Sequence, residues 1–413
     1  MEGDVEGTPQ TAKVNVLGMS REELRTFMTT LGERPFRGDQ IYRWLYARGA
    51  ISFGSMTDIA RASRELLSRT AVIAGVVPVS SIPSPADGTI KFLFGLADGL
   101  RIESVLIPPS AQFDPDEDRA DAPTRRERLT LCVSTQVGCP LACAFCATGT
   151  MGFVRNLTAG EIIGQVLHAR HATGRRITNI VFMGMGEPLL NYERVMNAAD
   201  IMTDGMDIGA RHMTLSTAGW CDGILRMAAE QRRVKLAVSL HSASDEVRTR
   251  LMPVTRRFPL AQLLDAVRRY YAATRVRVTY EVVFFDDVND RPEDIRKLIR
   301  FVRAVPSKVN VIPFHPIGFM HPEGLGATLR PSPRTDAIVE QLRAANITVM
   351  VRSSAGEDIA AACGQLAVAA PRRRQGGAIP RHRSTLPHET TNHETPPLWA
   401  TRRREGNTGE TSC

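Results

Sequence analysis

From residue 129 onward, the chain alternates between short apolar segments with strand character and longer segments with helical periodicity. Six such strand–helix pairs follow one another, and a further apolar segment at residues 348–351 comes after the last helix. Several strand candidates are almost uniformly apolar, which is typical of a parallel sheet covered by helices. The predicted strands are residues 129–134, 177–183, 212–216, 234–240, 276–284 and 309–313, and the predicted helices are residues 158–172, 192–202, 222–231, 260–272, 292–304 and 332–345. This order predicts an α/β fold with a partial (β/α)6 TIM-like barrel, in which the loops after the strands carry the chemistry.

The rest of the chain divides into smaller regions around this barrel. Ser20 and Glu23 form a candidate capping box that begins a helical segment, and Asp98 and Gly99 separate two apolar segments as the turn of a β-hairpin. The end of the chain has little to bury, which predicts disorder. The predicted regions are a flexible leader at residues 1–17, a small helical N-terminal domain at 18–75, a β-hairpin extension with a loop linker at 76–124, the catalytic barrel at 125–368 and a disordered basic tail at 369–413.

Composition excludes several classes of protein. No apolar run approaches the about 18 residues of a membrane span, and no apolar segment of a signal peptide follows the acidic N-terminus. A cytoplasmic protein without a membrane partner is therefore expected.

The formal net charge of +8 is compatible with an RNA partner, although a solvated basic surface explains it equally well. Three of the seven cysteines lie within eight positions, which indicates a metal or redox site rather than a set of disulfides.

That cysteine run is the strongest chemical signal in the chain. Cys139, Cys143 and Cys146 form a C-x3-C-x2-C pattern in the loop after the first barrel strand. Three thiolates on one loop can hold three irons of a 4Fe–4S cluster and leave the fourth iron open for a chelating substrate. The alternative is a zinc site that uses the last two of these cysteines with His168 and His171, which stand on a predicted helix.

The spacing of these cysteines, in this place of a β/α chain, resembles the radical S-adenosylmethionine (SAM) superfamily. In that superfamily the open iron binds the methionine part of SAM, and a GGEP-like segment after the second strand binds the SAM amino group. The segment GMGEP at residues 184–188 matches this pattern, so Gly186 and Glu187 are predicted to bind SAM. A glycine-rich turn without a ligand is the alternative reading. Further predicted SAM contacts lie at the ends of the third and fourth strands, and these are Ser216, Ser239, Leu240 and His241.

Longer motifs narrow the resemblance to one family. Residues 18–368 resemble the RlmN-type dual-specificity 23S ribosomal RNA and transfer RNA adenine-C2 methyltransferases. The matching segments are IESVLIP at 102–108, LCVSTQVGC at 131–139, GFVRNL at 152–157, MGMGEPLL at 183–190 and AACGQL at 361–366.

This resemblance implies a mechanism with two molecules of SAM per turnover. Cys363 corresponds to the residue that accepts a methyl group and becomes S-methylcysteine, and a radical from the second SAM activates that methyl group for addition to adenine carbon-2. Cys132 corresponds to the residue that releases the RNA through a transient disulfide with Cys363, and Glu103 to the proton acceptor. By their residue types alone, the two cysteines would be core residues and Glu103 an exposed strand carboxylate.

The resemblance also implies partners. 23S ribosomal RNA and transfer RNA are the expected substrates, an electron donor such as flavodoxin or ferredoxin is required, and a monomer is expected. Arg34, Arg37 and Arg43 in the helical N-terminal domain are the candidates for RNA contacts, whereas the neighbouring aromatic residues fit the core of that domain equally well. The sequence departs from the family at His315, where an asparagine that contacts SAM is usual, and a histidine ring nitrogen can still form a hydrogen bond there.

Two alternatives remain open from the sequence. The related adenine-C8 methyltransferases share the cluster motif and both additional cysteines, although the long helical N-terminal domain favours the C2 family. A non-catalytic iron–sulfur or zinc protein that binds RNA is the alternative from a different class. In such a protein Cys132 and Cys363 have no reason to be reactive, so alanine substitutions distinguish the two readings.

Overall fold

The computed structural model describes residues 13–109, 128–316 and 324–367. The tail predicted at residues 369–413, the first twelve residues of the predicted leader and most of the loop linker lie outside these ranges. No helix within them is long and apolar enough to cross a membrane.

The described residues contain fourteen strands and twelve α-helices. The strands are β1 Val14–Asn15, β2 Ala71–Val72, β3 Val77–Pro83, β4 Ile90–Gly95, β5 Arg101–Ile107, β6 Thr130–Cys132, β7 Gln136–Gly138, β8 Phe153–Asn156, β9 Asn179–Phe182, β10 Met213–Thr217, β11 Lys235–Ser239, β12 Val278–Val282, β13 Ser307–Val311 and β14 Val349–Val351. The helices are α1 Arg21–Thr30, α2 Phe36–Tyr42, α3 Arg61–Thr70, α4 Ala147–Thr150, α5 Ala159–Thr173, α6 Tyr192–Met206, α7 Cys221–Ala229, α8 Asp245–Leu251, α9 Leu260–Thr274, α10 Pro292–Val302, α11 Leu325–Thr328 and α12 Thr335–Ala344.

A ten-stranded sheet forms the centre of the molecule, in the order β14-β13-β12-β11-β10-β9-β6-β5-β4-β3. The seven strands from β14 to β6 pair in parallel, and the hairpin strands continue the sheet in antiparallel fashion through the pairing of β5 with β6. Every residue of β9 and β12 is buried, as expected for strands covered by helices. The predicted partial barrel with a β-hairpin extension is therefore confirmed.

Most of the predicted barrel helices agree with the structure to within a few residues, and α5 shows why. Thr158 is its N-cap and forms a capping box with Glu161, and Gly174 in the left-handed conformation ends the helix. The elements that were not predicted include helix α8 after β11 and the small antiparallel sheet of β7 and β8 on either side of the cysteine run.

The N-terminal helices pack against the barrel through a close backbone contact. The capping box of Ser20 and Glu23 is present at the start of α1. Gly18, with φ of +94°, lies so close to the backbone of Gly160 in α5 that a Cβ atom would clash there. The Tyr46 hydroxyl lies beside this contact, donates to the Met19 carbonyl at 2.7 Å and accepts from the Gly18 amide at 3.0 Å.

The leader predicted for residues 1–17 is wrong for its last part. Val14 and Asn15 pair in parallel with Ala71 and Val72, and Val16 is fully buried. A two-residue strand carries no periodic pattern, so no local signal in the sequence indicates this pairing.

Candidate active site

The three clustered cysteines lie in one loop that is closed by the β7–β8 pair. The Cys139 amide donates to the Gly152 carbonyl at 2.9 Å, which joins the two ends of the loop. Within the loop the Cys146 amide donates to the Cys143 carbonyl at 3.2 Å. The backbone therefore holds the three cysteines close together after the first parallel strand, as their spacing predicts.

A cavity of ≈ 160 Å³ at the carboxyl ends of the parallel strands collects most of the predicted SAM and cluster residues. Its lining includes Cys139, Cys143, Cys146, Gly186, Glu187, Ser216, Ser239 and His241. These residues lie at or beyond the carboxyl ends of β6, β9, β10 and β11, so four strand ends converge on one space. Leu240 is fully buried and does not belong to the described lining, although its neighbours Ser239 and His241 do.

Glu187 presents a buried carboxylate to this cavity. It accepts from the Ala218 amide at 2.8 Å and from the Leu189 amide at 3.2 Å. Burial raises the pKa of Glu187 to about 7, although both amides favour the ionised form. A cationic ligand such as an ammonium group would relieve the cost of ionising this carboxyl.

His241 is held as a neutral imidazole. Burial and the neighbouring Arg248 lower its pKa to about 3, and its Nδ1 accepts from the Val283 amide at 3.1 Å. With Nδ1 occupied as an acceptor, the proton is assigned to Nε2, which leaves one donor for a ligand. The imidazole packs on Phe145 at a centroid distance of 4.4 Å.

The chemistry of the donor set fits an iron–sulfur cluster. Burial is the largest factor that raises the pKa of all three thiols, and that of Cys139 reaches about 12, so a bound metal is needed to hold them as thiolates at neutral pH. No three His, Cys, Asp or Glu side chains of the described residues surround the position of a single metal ion. The zinc alternative is not supported, because neither His168 nor His171 belongs to a metal-binding group among the described residues. The His168 ring instead packs on Phe92 and Phe94 at centroid distances of 5.6 and 5.1 Å.

A second cavity, of ≈ 150 Å³, adjoins the first and contains both additional cysteines. Cys132 and Cys363 line it together with Met183 and Arg352, and Cys146 and Cys363 belong to the linings of both cavities. Cys132 is buried on β6, and burial together with the neighbouring Cys363 raises its pKa to about 12. Cys363 is exposed, which excludes the reading of this cysteine as a core residue.

Arg352 is a site residue that sequence reasoning missed. Its Nη1 lies 3.7 Å from Cys363 Sγ and 3.6 Å from Met183 Sδ. Burial works to lower its pKa, but Glu281 and Cys363 outweigh burial and hold it above the usual value. A fixed guanidinium therefore stands beside the sulfur of Cys363.

The segment that carries Cys363 is fastened directly to the cysteine loop. The Gly364 carbonyl accepts from the Ala147 amide at 2.7 Å, and the Leu366 carbonyl accepts from Thr148 Oγ1 at 2.6 Å. Ala147 and Thr148 immediately follow the last cysteine of the run. Cys363 thus keeps a fixed place between the two cavities.

The hairpin strands hold the same segment from the other side. The Ala367 amide donates to Glu103 Oε2 at 3.1 Å, and Lys91 Nζ lies 3.7 Å from Glu103 Oε1 while it donates to the Ala360 carbonyl at 3.3 Å. Glu103 is buried on β5, and burial raises its pKa against the opposing effects of Lys91 and the Ala367 amide. The structure places Glu103 beside the Cys363 segment, although it is absent from the described linings of both cavities.

His315 lines the second cavity and not the first. Its Nδ1 lies 2.9 Å from Glu357 Oε1, so it connects the end of the barrel to the segment that leads to Cys363. The predicted SAM residues other than Leu240 and His315 all line the first cavity. His315 therefore does not join them in the described structure.

A partial parallel barrel with a three-cysteine loop after its first strand defines a radical SAM enzyme. The comparisons with known proteins agree. Residues 133–302 match the model of the radical SAM superfamily, and residues 14–73 match the N-terminal domain of ribosomal RNA large subunit methyltransferases. A crystal structure of a radical SAM methyltransferase from Sphaerobacter thermophilus is 40% identical, with a TM-score of 0.75, and the match covers 86% of this chain and 99% of that one.

Curated relatives identify the family within this class. The dual-specificity RNA methyltransferase RlmN of Anaeromyxobacter dehalogenans is 42% identical, and the match covers 87% of this chain and 95% of the relative. The protein of the same name from Geobacter sulfurreducens is 44% identical, with 86% of this chain and 92% of the relative covered. The chain belongs to the RlmN family of dual-specificity RNA methyltransferases.

Proposed function

We propose that this protein methylates carbon-2 of adenine in 23S ribosomal RNA and in transfer RNA. The observation that carries the proposal is the placement of Cys363. It is exposed in the cavity that also contains Cys132, and it adjoins the cavity of the three clustered cysteines. A sulfur that accepts a methyl group at one cavity and offers it to an RNA base at the other needs this intermediate position.

In this proposal Cys139, Cys143 and Cys146 hold a 4Fe–4S cluster, and the residues around Glu187 bind SAM. When bound, the cluster with its open iron supplies the electron that cleaves SAM to a 5′-deoxyadenosyl radical. Glu187 offers a carboxylate to the SAM amino group, and Ser216, Ser239 and the Nε2–H of His241 offer hydrogen bonds within the same cavity. Two molecules of SAM are used in each turnover, one as methyl donor and one as radical source.

The remaining steps belong to the protein's own residues. The Cys363 thiolate attacks the methyl group of the first SAM, and S-adenosylhomocysteine leaves, while the guanidinium of Arg352 lies beside the attacking sulfur. After hydrogen abstraction from the S-methyl group, which leaves 5′-deoxyadenosine, the methylene radical adds to adenine carbon-2 and joins the RNA to Cys363. The radical adduct would then return one electron to the oxidised cluster and lose the carbon-2 proton. The Cys132 thiolate attacks the sulfur of Cys363 and forms a disulfide, while the S–CH2 bond breaks and the released carbon takes up a proton to complete the methyl group on the RNA. An external reductant reopens this disulfide.

Glu103 is proposed as the acceptor of the proton that leaves carbon-2. Its buried position and raised pKa suit a group that takes up a proton. Its bonds to Lys91 and to the Ala367 amide keep it beside the Cys363 segment.

The helical N-terminal region at residues 18–75 is proposed to bind the RNA. Arg34 and Arg43 are exposed, and Arg37 is half-buried. Tyr42 and Tyr46 are buried in the core, so the reading of these aromatic residues as core side chains is supported over base stacking. The proposal includes a cytoplasmic monomer that receives electrons from flavodoxin or ferredoxin.

Nucleoside mass spectrometry tests the proposal directly. Anaerobically reconstituted protein is incubated with SAM, a reductant and unmodified ribosomal or transfer RNA, and 2-methyladenosine is separated from 8-methyladenosine. Mainly 2-methyladenosine is expected. A product that contains only 8-methyladenosine would assign the protein to the C8 reaction with the same cysteine roles. Neither product, from protein that cleaves SAM, would show that the substrate is wrong.

A further inference from the structure

Arg248 is a fully buried arginine on helix α8. Its Nε donates to the Leu240 carbonyl at 3.2 Å, and its Nη1 donates to Thr255 Oγ1 at 2.7 Å. Its Nη2 donates to the carbonyls of Ala218 at 2.6 Å and Ser239 at 3.1 Å. All four acceptors are neutral, and in the described part of the chain no carboxylate forms an ion pair with this guanidinium.

Such an arrangement is unusual for a buried charge. Arginine is rarely buried without a carboxylate or phosphate partner, because desolvation of the charge is costly and neutral carbonyls compensate it only in part. Burial accordingly lowers the pKa of Arg248 to about 10. Among the described residues, the carboxylate of Asp245 acts on this charge only from beyond ion-pair distance, so the guanidinium has no directly paired anion.

The cavity of the three clustered cysteines lies next to this arginine, and a negatively charged group bound in that cavity would compensate the charge of Arg248. Ala218 and Ser239, whose carbonyls bind the guanidinium, line the same cavity as the three clustered cysteines. Helix α8 is also joined to the cysteine loop, because the Ala144 amide donates to the Leu251 carbonyl at 2.9 Å.

We propose that Arg248 is the buried counter-cation of the iron–sulfur cluster and that it raises the cluster's reduction potential. Three thiolates give a 4Fe–4S cluster a net negative charge, and one-electron reduction makes that charge larger. A fixed cation behind the cavity therefore stabilises the reduced cluster more than the oxidised one. The electron comes from an external donor of the flavodoxin or ferredoxin type, which is oxidised in the same step. This inference rests on the cluster of the proposed function.

The test separates the charge of Arg248 from its hydrogen bonds. R248K keeps the charge and loses most of the bonds, whereas R248Q loses the charge and keeps part of the bonding. R250Q is the matched control, since Arg250 is exposed on the same helix. Each full-length protein is reconstituted anaerobically, its iron and sulfide content is determined, and its midpoint potential is measured by a redox titration that is followed by electron paramagnetic resonance.

R248Q is expected to shift the reduction equilibrium about tenfold toward the oxidised cluster, which is about 59 mV for a one-electron couple. R248K and R250Q are expected to stay close to the parent. Equal midpoint potentials in R248Q and R248K would overturn the proposal, whether or not both differ from the parent. The charge at position 248 would then have no effect on the potential of the cluster. Failure of the parent protein itself to load a cluster would refute the proposed function, a different result from failure of this inference.

Thermal unfolding gives a second readout that remains informative if a variant loads poorly. Without the cluster the ammonium group of the R248K variant has no counter-ion, so R248K should unfold at a lower temperature than R248Q. With the cluster the order should reverse, and R248K should also retain more iron. The same order in both states would show that Arg248 acts only as a structural clamp on the strand ends.

Discussion

The guanidinium of Arg352 lies 3.7 Å from the sulfur of Cys363. Arg352 directly follows β14, the last parallel strand, and its amide donates to the Val311 carbonyl at 2.9 Å, so its backbone is fixed by the sheet. A guanidinium held in this way can form a charge-assisted hydrogen bond to a negatively charged sulfur. The sheet thereby fixes a cation beside the proposed methyl acceptor.

Replacement of Arg352 by methionine should therefore slow alkylation of Cys363 at neutral pH. A hydrogen bond to a charged group is worth about 1.5 to 3 kcal/mol, which predicts a decrease of roughly one to two orders of magnitude. The rate is measured with iodoacetamide and peptide mass spectrometry. R352K, which keeps the charge, should recover part of the rate. An unchanged rate in R352M would separate Arg352 from the activation of Cys363.

Replacement of Cys132 by alanine should trap the protein on its RNA. The buried Cys132 shares a cavity with Cys363 and Cys146. Because Cys146 is a proposed cluster ligand, replacement of Cys132 leaves no free thiol in the described lining to release the adduct. A covalent protein–RNA species is expected on denaturing gels with labelled RNA. C363A should form no such species.

Cys221→Ala is the matched control for this experiment. Cys221 is also buried, but its Sγ donates to the Gly219 carbonyl at 3.5 Å and it is absent from the described linings of both cavities. C221A should turn over normally. Normal turnover of C132A, without a covalent species, would contradict the proposed release step.

The sequence predicted the site through spacing and order along the chain. The cysteine run, Glu187 and the residues after the third and fourth strands converge because parallel strands end at one edge of a sheet. Arg352 and Arg248 could not be found in this way. Arg352 follows a short, half-buried strand, and Arg248 lies in the segment DEVRTRL, which has the composition of a solvent-exposed helix. Their roles depend on contacts between distant parts of the chain, which no local pattern encodes.

Glu187 should make the cluster-free protein sensitive to pH. Burial raises its pKa from the usual value of 4.5 to about 7. The stability that this carboxyl contributes is fully present below pH 4.5, where it is protonated in both states, and is lost as the pH rises through 7. E187Q has no such carboxyl, so at pH 8 it should be more stable than the parent by up to about 3 kcal/mol. Urea unfolding at pH 5 and pH 8 measures the free energy of unfolding of E187Q relative to the parent. If the advantage of E187Q is no larger at pH 8 than at pH 5, burial does not raise the pKa of Glu187 as stated.

The bond between Thr148 and Leu366 should couple the cysteine loop to the Cys363 segment. Thr148 is buried, and valine has nearly its shape but leaves the Leu366 carbonyl without this donor, which costs about 1 to 3 kcal/mol. T148V should loosen the segment, so that SAM cleavage continues while less methylated RNA forms. The ratio of 5′-deoxyadenosine to methyladenosine is the measurement. T150V, which removes only a bond within helix α4, should keep the parent ratio, and an equal ratio in T148V would exclude the coupling.

The exposed arginines of the N-terminal helices should contribute to RNA affinity by charge. Arg34 and Arg43 are exposed, whereas Arg48 already stacks on Trp44 at 4.1 Å and lies 3.8 Å from Asp58. Each lost phosphate contact lowers the slope of log affinity against log salt concentration by about 1. The double variant R34E/R43E should therefore bind transfer RNA more weakly at low salt and with a slope smaller by about 2. R300E, on the outer helix α10, changes charge at an exposed site of the barrel and should leave the slope unchanged. The same loss in both variants would mean that net charge, and not this surface, attracts the RNA.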